Sequence, residues 1–296
     1  MVCSTVRSAV DDVSKTFRDF NKTDPRLDED QIPFRILQQQ YKGYKDEDPT
    51  ERHEKAIPLS VLRHVASNIE CEIDEAITHL AIGALFFCMR SCEYLKVPQA
   101  QDRKTKKLCV RNFLFSINEK ILDSSSEEIL RANKVSITFE DQKNRNKLET
   151  ITMFSTNDEL LCPVKAWSKT IFRIMKNETS NSDTPINIYV TGNKTYEITD
   201  KDMIKVLRNA VSEIGKDILG FEASEVGTHS LRSGGAMAMC LASIEPYRIK
   251  LIGRWKSDAF MRYIRKQIEE FTQDISNRMI QNEVFRHVRS FIPNQN

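Results

Sequence analysis

The sequence predicts a mostly α-helical chain with a small antiparallel β-sheet set into it. Three observations carry that expectation. Residues 73–95, "IDEAITHLAIGALFFCMRSCEYL", form an apolar run of helix length. Two stretches, "KVSITFEDQ" and "KLETITMFST", alternate apolar with polar and favour β-branched residues, with the polar "KNRN" between them. Four further segments over 199–275 carry helical spacing and are separated by Gly, Pro and polar breaks.

In chain order, residues 1–55 are polar, and "KTDPRLDED" and "KGYKDEDPTE" read as loops around short helical pieces because Pro, Asp and Gly punctuate them. This part is expected to be an arm, or the remnant of a separate helical domain. A second domain, 56–296, follows. Its first helix lies in "PLSVLRHVASNI", with apolar residues at helical spacing and Ser60 as the expected N-cap. The 73–95 run is apolar on nearly all sides, so it belongs at the domain centre. Arg90 then ends a buried helix and needs an anionic partner, either Glu93 or something outside the protein. The alternating pair reads as a hairpin with lysines at its tip. "CPVKAWSKTIFRIM" has the pattern of an amphipathic helix, and "TPINIYVT" is extended. The four helical segments are "TDKDMIKVLRNAVSEIG", "THSLRSGGAMAMCLA", "PYRIKLIGRW" and "SDAFMRYIRKQIEEFTQDI".

Composition narrows the function classes. The longest apolar run, "AITHLAIGALFFCM", falls short of the roughly 20 residues of a membrane span. The N-terminus lacks the apolar core of a secretory signal, so the chain is expected inside the cell. Seven cysteines are scattered and never form a CxxC pair, which points to reduced thiols and away from a zinc site. The net charge is +2, so nucleic-acid binding must rest on where the charges lie. Lys104, Lys106, Lys107 and Arg111 form one basic cluster, and Lys143, Arg145 and Lys147 a second. Arg248 to Lys266, which includes Arg254 and Lys256, is a third. A charge run alone is usually a solvated face.

No GxxxxGK[ST], GxGxxG or HExxH occurs, so NTPase, dinucleotide-binding and zincin chemistries lack support. His229-Ser230 lacks the GxSxG elbow of a serine hydrolase. His229 and Arg232 lie three apart near a helix N-terminus and share a face, a pattern suited to an anion and to phosphate above all. By itself such a pair is more often a capped helix start with a surface salt bridge.

Taken together, Arg90, Lys143, His229-x-x-Arg232, Trp255 and Tyr263 occur in an order that resembles the tyrosine recombinases, the phage-integrase family. Within that family the chain looks most like the recombinases of Crypton-type eukaryotic mobile elements. The resemblance runs from about Pro58 onward. It rests on "GALFFCMRSCEYL", "ITFEDQKNRNKLETITM", "CPVKAW", "THSLRSGGA" and "GRWKSDAFMRYIR".

The resemblance implies the integrase catalytic-domain fold and a metal- and ATP-independent reaction on double-stranded DNA, with no cofactor. Tyr263 would attack a phosphodiester to give a 3′-phosphotyrosine, and a second hydroxyl would reverse the step. Arg90 and Arg232 would clamp the non-bridging oxygens. Lys143 would protonate the leaving 5′-oxygen, His229 would assist proton transfer, and Trp255 would stand where many members have a second histidine. Lys104, Lys106, Lys107, Arg145, Lys147, Arg254 and Lys256 would contact DNA. Self-association as a dimer or tetramer on DNA, and a nuclear location, are also implied.

Tyr263 follows Trp255 by eight residues, one fewer than in many members. Lys147 competes with Lys143, for which "QKN" is the closer match, and residues 1–55 are expected to hold little of the family's DNA-clamping N-terminal domain, as in a fragment or a degenerate copy. Two alternatives stay open: a catalytically silent DNA-binding protein of the same fold, and a type IB topoisomerase. The segment after Tyr263 either docks on a neighbouring protomer or folds back on its own core.

Overall fold

The computed structural model describes residues 2–48, 54–97, 106–140, 148–191, 194–257 and residue 261. The chain divides into two units, Met1–His53 and Glu54–Asn296. The first is a helical pair, α1 (Cys3–Asp19) and α2 (Arg35–Glu47). The Cys3 thiol donates to the Tyr41 carbonyl at 3.2 Å, and the Arg7 guanidinium lies 4.8 Å from the Tyr41 ring centre. Between the helices Asp24 accepts from Arg26 and Ser14, which fixes the connecting loop.

In the second unit residues 54–57 run extended against 225–230, with Lys55 N–H bonded to the Glu225 carbonyl and Ile57 N–H to that of Ser230. Helix α3 (Leu59–Ser67) starts directly after this segment. Its N-cap is Pro58, two residues before the expected Ser60, because the docked segment fixes the entry of the chain. Helix α4 (Glu72–Phe86) is buried from Ala76 to Leu85, as its apolar composition requires. The run expected as one helix over 73–95 breaks at Phe87–Arg90 and resumes as α5 (Ser91–Tyr94).

The sheet has four antiparallel strands in the order β2-β1-β3-β4: β1 (Phe113–Ile117), β2 (Lys120–Leu122), β3 (Lys134–Glu140) and β4 (Leu148–Phe154). The expected hairpin is the β3–β4 pair, in register from Lys134 opposite Phe154 to Glu140 opposite Leu148. Val135, Ile137 and Phe139 face the core, whereas Ser136 and Thr138 bond Thr152 and Thr150 on the outer face at 2.8 and 2.9 Å. Strands β1 and β2 are an addition to the hairpin expected from sequence.

Helix α6 (Pro163–Met175) packs its apolar face on α4 and the sheet. Its fully buried Trp167 lies where only a glycine, Gly83 of α4, leaves room, and stacks tilted on Phe113 at 4.8 Å. "TPINIYVT" supplies β5 (Ile188–Thr191), which pairs with β6 (Lys194–Glu197). Helix α7 (Asp200–Ile214) opens with a capping box between Thr199 and Asp202 and covers α3 and α4. After the short α8 (Lys216–Leu219) come α9 (Ser230–Leu241), packed on α4, and α10 (Pro246–Ile252), packed on α9. The architecture is therefore mostly helical with a small antiparallel sheet, as expected. Among the described residues no helix is long and apolar enough to cross a membrane.

Candidate anion site

Two helix ends build the site. Helix α4 ends in a Schellman turn: Cys88 N–H bonds the Leu85 carbonyl at 3.1 Å and Met89 N–H that of Ala84 at 2.9 Å, with Cys88 left-handed at φ 45°. Helix α10 ends in the same way. Arg254 N–H bonds the Leu251 carbonyl and Trp255 N–H that of Lys250, both at 3.0 Å, with Arg254 left-handed at φ 56°. Gly253, one residue earlier, has an ordinary φ of −79°. Its lack of a side chain serves another purpose, since a Cβ there would overlap the Trp255 indole.

Arg232, in the first turn of α9, joins these two ends. It is 2% exposed, donates from Nη1 to the Cys88 carbonyl and from Nη2 to the Gly253 carbonyl at 2.6 Å, and lies 4.3 Å from the centre of the Trp255 ring. Burial, then Arg90 and Arg254, pull its guanidinium down to about 10, so it stays charged at neutral pH.

Arg90 stands at the N-cap of α5 and is half-buried, rather than at the end of a continuous helix. Its backbone N–H and Nη1 donate to the two carboxylate oxygens of Glu93 at 2.8 and 3.0 Å. Arg254 reaches the same carboxylate from inside, at 2.7 Å from Nη2. Burial pushes the Glu93 carboxyl up, but Arg254, Arg90 and Arg232 outweigh it and hold the group below the usual carboxylate range. Two guanidiniums thus contact one carboxylate and a third, Arg232, acts on it through its charge, a local excess of positive charge that suits an anion.

The remaining expected site residues are placed as follows. His229 is the exposed N-cap of α9; its backbone N–H donates to Glu54 at 2.5 Å, and its carbonyl accepts from Ser233. Trp255 is half-buried over Arg232. The structure therefore brings Arg90, Arg232 and Trp255 into one cluster, with His229 one turn from Arg232. Lys143 and Tyr263 lie outside the described residues, as do Lys104, Arg145 and Lys147. Lys106 meets Glu140 at 3.8 Å and Lys107 meets Glu197 at 3.3 Å, so this basic cluster is partly compensated by its own acids. Lys256 is exposed. Arg254, expected to touch DNA, instead has a fully enclosed side chain, because Glu93 and the Phe87 carbonyl draw it inward.

Sequence reading named Glu93 only as one possible partner for Arg90 and gave the inner role of Arg254 no place. The Arg-x-x-Glu spacing was the available signal for the first. Nothing local signals the second, which depends on a carboxylate 161 positions away.

No family model matches the sequence, and no curated protein does. The fold is similar to that of the Tn1549 transposon integrase solved in complex with transposon right-end DNA. That structure is 10% identical in sequence, with a TM-score of 0.54, over 95% of this chain and 80% of that one. A second structure of that integrase, with a circular-intermediate DNA, gives a TM-score of 0.52 at 12% identity, over 94% of this chain and 80% of that one.

Proposed function

We propose that this chain cleaves and rejoins DNA strands as a site-specific tyrosine recombinase. The observation that carries the proposal is the cluster of the half-buried Arg90 with the enclosed Arg232 and Arg254, in which a single carboxylate, Glu93, is held by Arg90 and Arg254. The same overall fold in a DNA-bound integrase supports it.

In the proposed reaction a scissile phosphate docks beside Arg90 and Arg232. Two of the five donors of Arg232 are engaged by main-chain carbonyls, which fixes the plane of the fork before substrate arrives. The Tyr263 hydroxyl attacks phosphorus, the Tyr Oη–P bond forms and the P–O5′ bond breaks. Lys143 gives a proton to the leaving 5′-oxygen, while His229 assists removal of the phenolic proton. A 5′-hydroxyl from another strand then attacks the phosphotyrosine and releases Tyr263. The bond energy is kept in the intermediate, so the step needs no ATP, and the guanidiniums supply the charge neutralisation that metal ions supply in other nucleases. The motif resemblance extends the proposal to a Crypton-type mobile-element origin, self-association on paired DNA sites and, in a eukaryotic host, the nucleus.

A second reading is favoured by one observation. Arg232 also ties two helix ends together, so it serves equally in a catalytically silent DNA-binding protein. A nicked suicide duplex bearing the element's own ends separates the two readings. The recombinase reading expects a covalent protein–DNA adduct on a denaturing gel that is lost in Tyr263→Phe and strongly reduced in Arg232→Lys, because lysine cannot reproduce the bidentate fork. Binding of that duplex by the wild type with no adduct would establish the silent reading.

A further inference from the structure

We propose that Arg254 is a positioning residue of the anion site: it compensates Glu93 from the protein interior, so that the charge of Arg90 remains available to a bound phosphate. This rests on the recombinase reading above.

The backbone first sets the terms. Arg254 takes the left-handed position of a Schellman turn, which glycine ordinarily fills because an L-residue is strained there. Glycine sits one residue earlier, where Trp255 requires it. The arginine side chain is anchored on three sides. Nη2 bonds Glu93 at 2.7 Å, Nη1 bonds the Phe87 carbonyl at 3.1 Å, and the guanidinium carbon lies 3.5 Å from the Phe139 ring centre. It is sealed from solvent, so its contribution to ligand binding is indirect.

Glu93 transmits that contribution. One oxygen takes Arg254 and the Arg90 backbone, and the other takes the Arg90 guanidinium. Were Arg90 the sole cation on Glu93, the pair would be neutral and Arg90 would present little charge to an anion. With Arg254 on the inner side, the carboxylate is matched from within while it still fixes the Arg90 side chain. The groups that act on Glu93 are Arg254, Arg90 and Arg232, and it acts in turn on the neighbouring Tyr94 hydroxyl.

The test compares full-length wild type, Arg254→Met and Arg254→Met/Glu93→Gln. Two measurements are made: carbon-13 NMR titration of the Glu93 carboxyl without DNA, and adduct formation on the nicked duplex from about pH 5.5 to about pH 8. In Arg254→Met the Glu93 carboxyl is expected to titrate at a higher pH than in wild type. Adduct formation at the upper pH falls about tenfold to a hundredfold, less than the loss from removing a direct transition-state contact. It recovers as pH falls, because protonation of Glu93 frees Arg90. The double variant, with no charge to compensate, recovers across the whole range. A Glu93 titration that does not move, or single and double variants equally impaired with flat pH profiles, overturns the proposal. If Arg254→Met alone fails to fold, the double variant decides: recovery supports the role and its absence refutes it. If wild type forms no adduct, the recombinase reading fails by itself, and the DNA-free titration still decides whether Arg254 compensates Glu93.

Discussion

Gly235→Ala tests whether the site depends on close helix packing. Gly235 lies one turn after Arg232 on α9, and a Cβ there would overlap the Leu85 carbonyl oxygen in the last turn of α4. The obstacle is backbone, so no rotamer change relieves it, and α9 must move from α4 by about 1 Å to restore ordinary contact. Overpacking of this kind costs about 1–3 kcal/mol of stability. The same movement carries Arg232 away from the Cys88 carbonyl that holds its Nη1. Misplacement by about 1 Å can lower a reaction rate on the order of a hundredfold. Urea unfolding gives the first quantity and adduct formation on the nicked duplex the second. The expected result is a folded protein, modestly destabilised, whose cleavage falls far more than its stability. Wild-type stability together with wild-type cleavage would refute the reasoning, since it would mean that α9 and α4 are not in close contact.

Two further outcomes follow from the packing and the charges. Gly253→Ala, at a backbone angle open to any residue, is expected to displace the Trp255 indole from Arg232 and cost about 1–3 kcal/mol, measured by tryptophan fluorescence and by unfolding. His79 of α4 is 8% exposed, and burial, then Lys169 and Arg173, pull its imidazole down to about 3; Glu75, 3.7 Å away and shared with Lys169, does not offset them. Because the unfolded imidazole takes its proton near pH 6.5, the stability from keeping His79 neutral is full above that pH and is lost as pH falls toward 3, by about 2 kcal/mol at pH 5. Urea midpoints compared at pH 7 and pH 5 are expected to show this loss in wild type and not in His79→Gln.

Legibility in the sequence followed how local each signal is. The β3–β4 alternation and the amphipathic α6 and α7 are written in neighbouring residues, and the structure has them where the pattern puts them. The break between α4 and α5 was hidden, because the chain turns at Cys88 without glycine or proline and the flanking residues are as apolar as a helix interior. Strands β2 and β6 are only three and four residues long, too short for alternation to register. Arg90 was legible because a guanidinium at the end of an apolar run is costly to bury unless matched, and Arg232 because it follows His229 by three at a helix start; only the motif resemblance joins the two. The enclosed Arg254 was not legible, since arginine in a basic stretch reads as surface and its carboxylate lies far away in sequence.

The partners of Arg232 explain how a cation can be buried and keep its charge. A positive charge in the first turn of α9 faces the unfavourable end of its own helix dipole, and enclosure removes its water. A carboxylate would offset both costs, but it would also cancel the charge. Here the contacts come from the C-terminal ends of α4 and α10, through the Cys88 and Gly253 carbonyls, and from the face of Trp255, while Glu93, held by Arg90 and Arg254, attracts Arg232 only from beyond them. Carbonyl dipoles and a ring quadrupole stabilise a guanidinium without neutralising it, so the field at the site keeps its sign. The left-handed residues Cys88 and Arg254 follow from the same requirement, because a Schellman turn closes each helix end in place beside Arg232. The left-handed turns at Cys88 and Arg254 therefore set the two carbonyls that stabilise the buried Arg232 guanidinium.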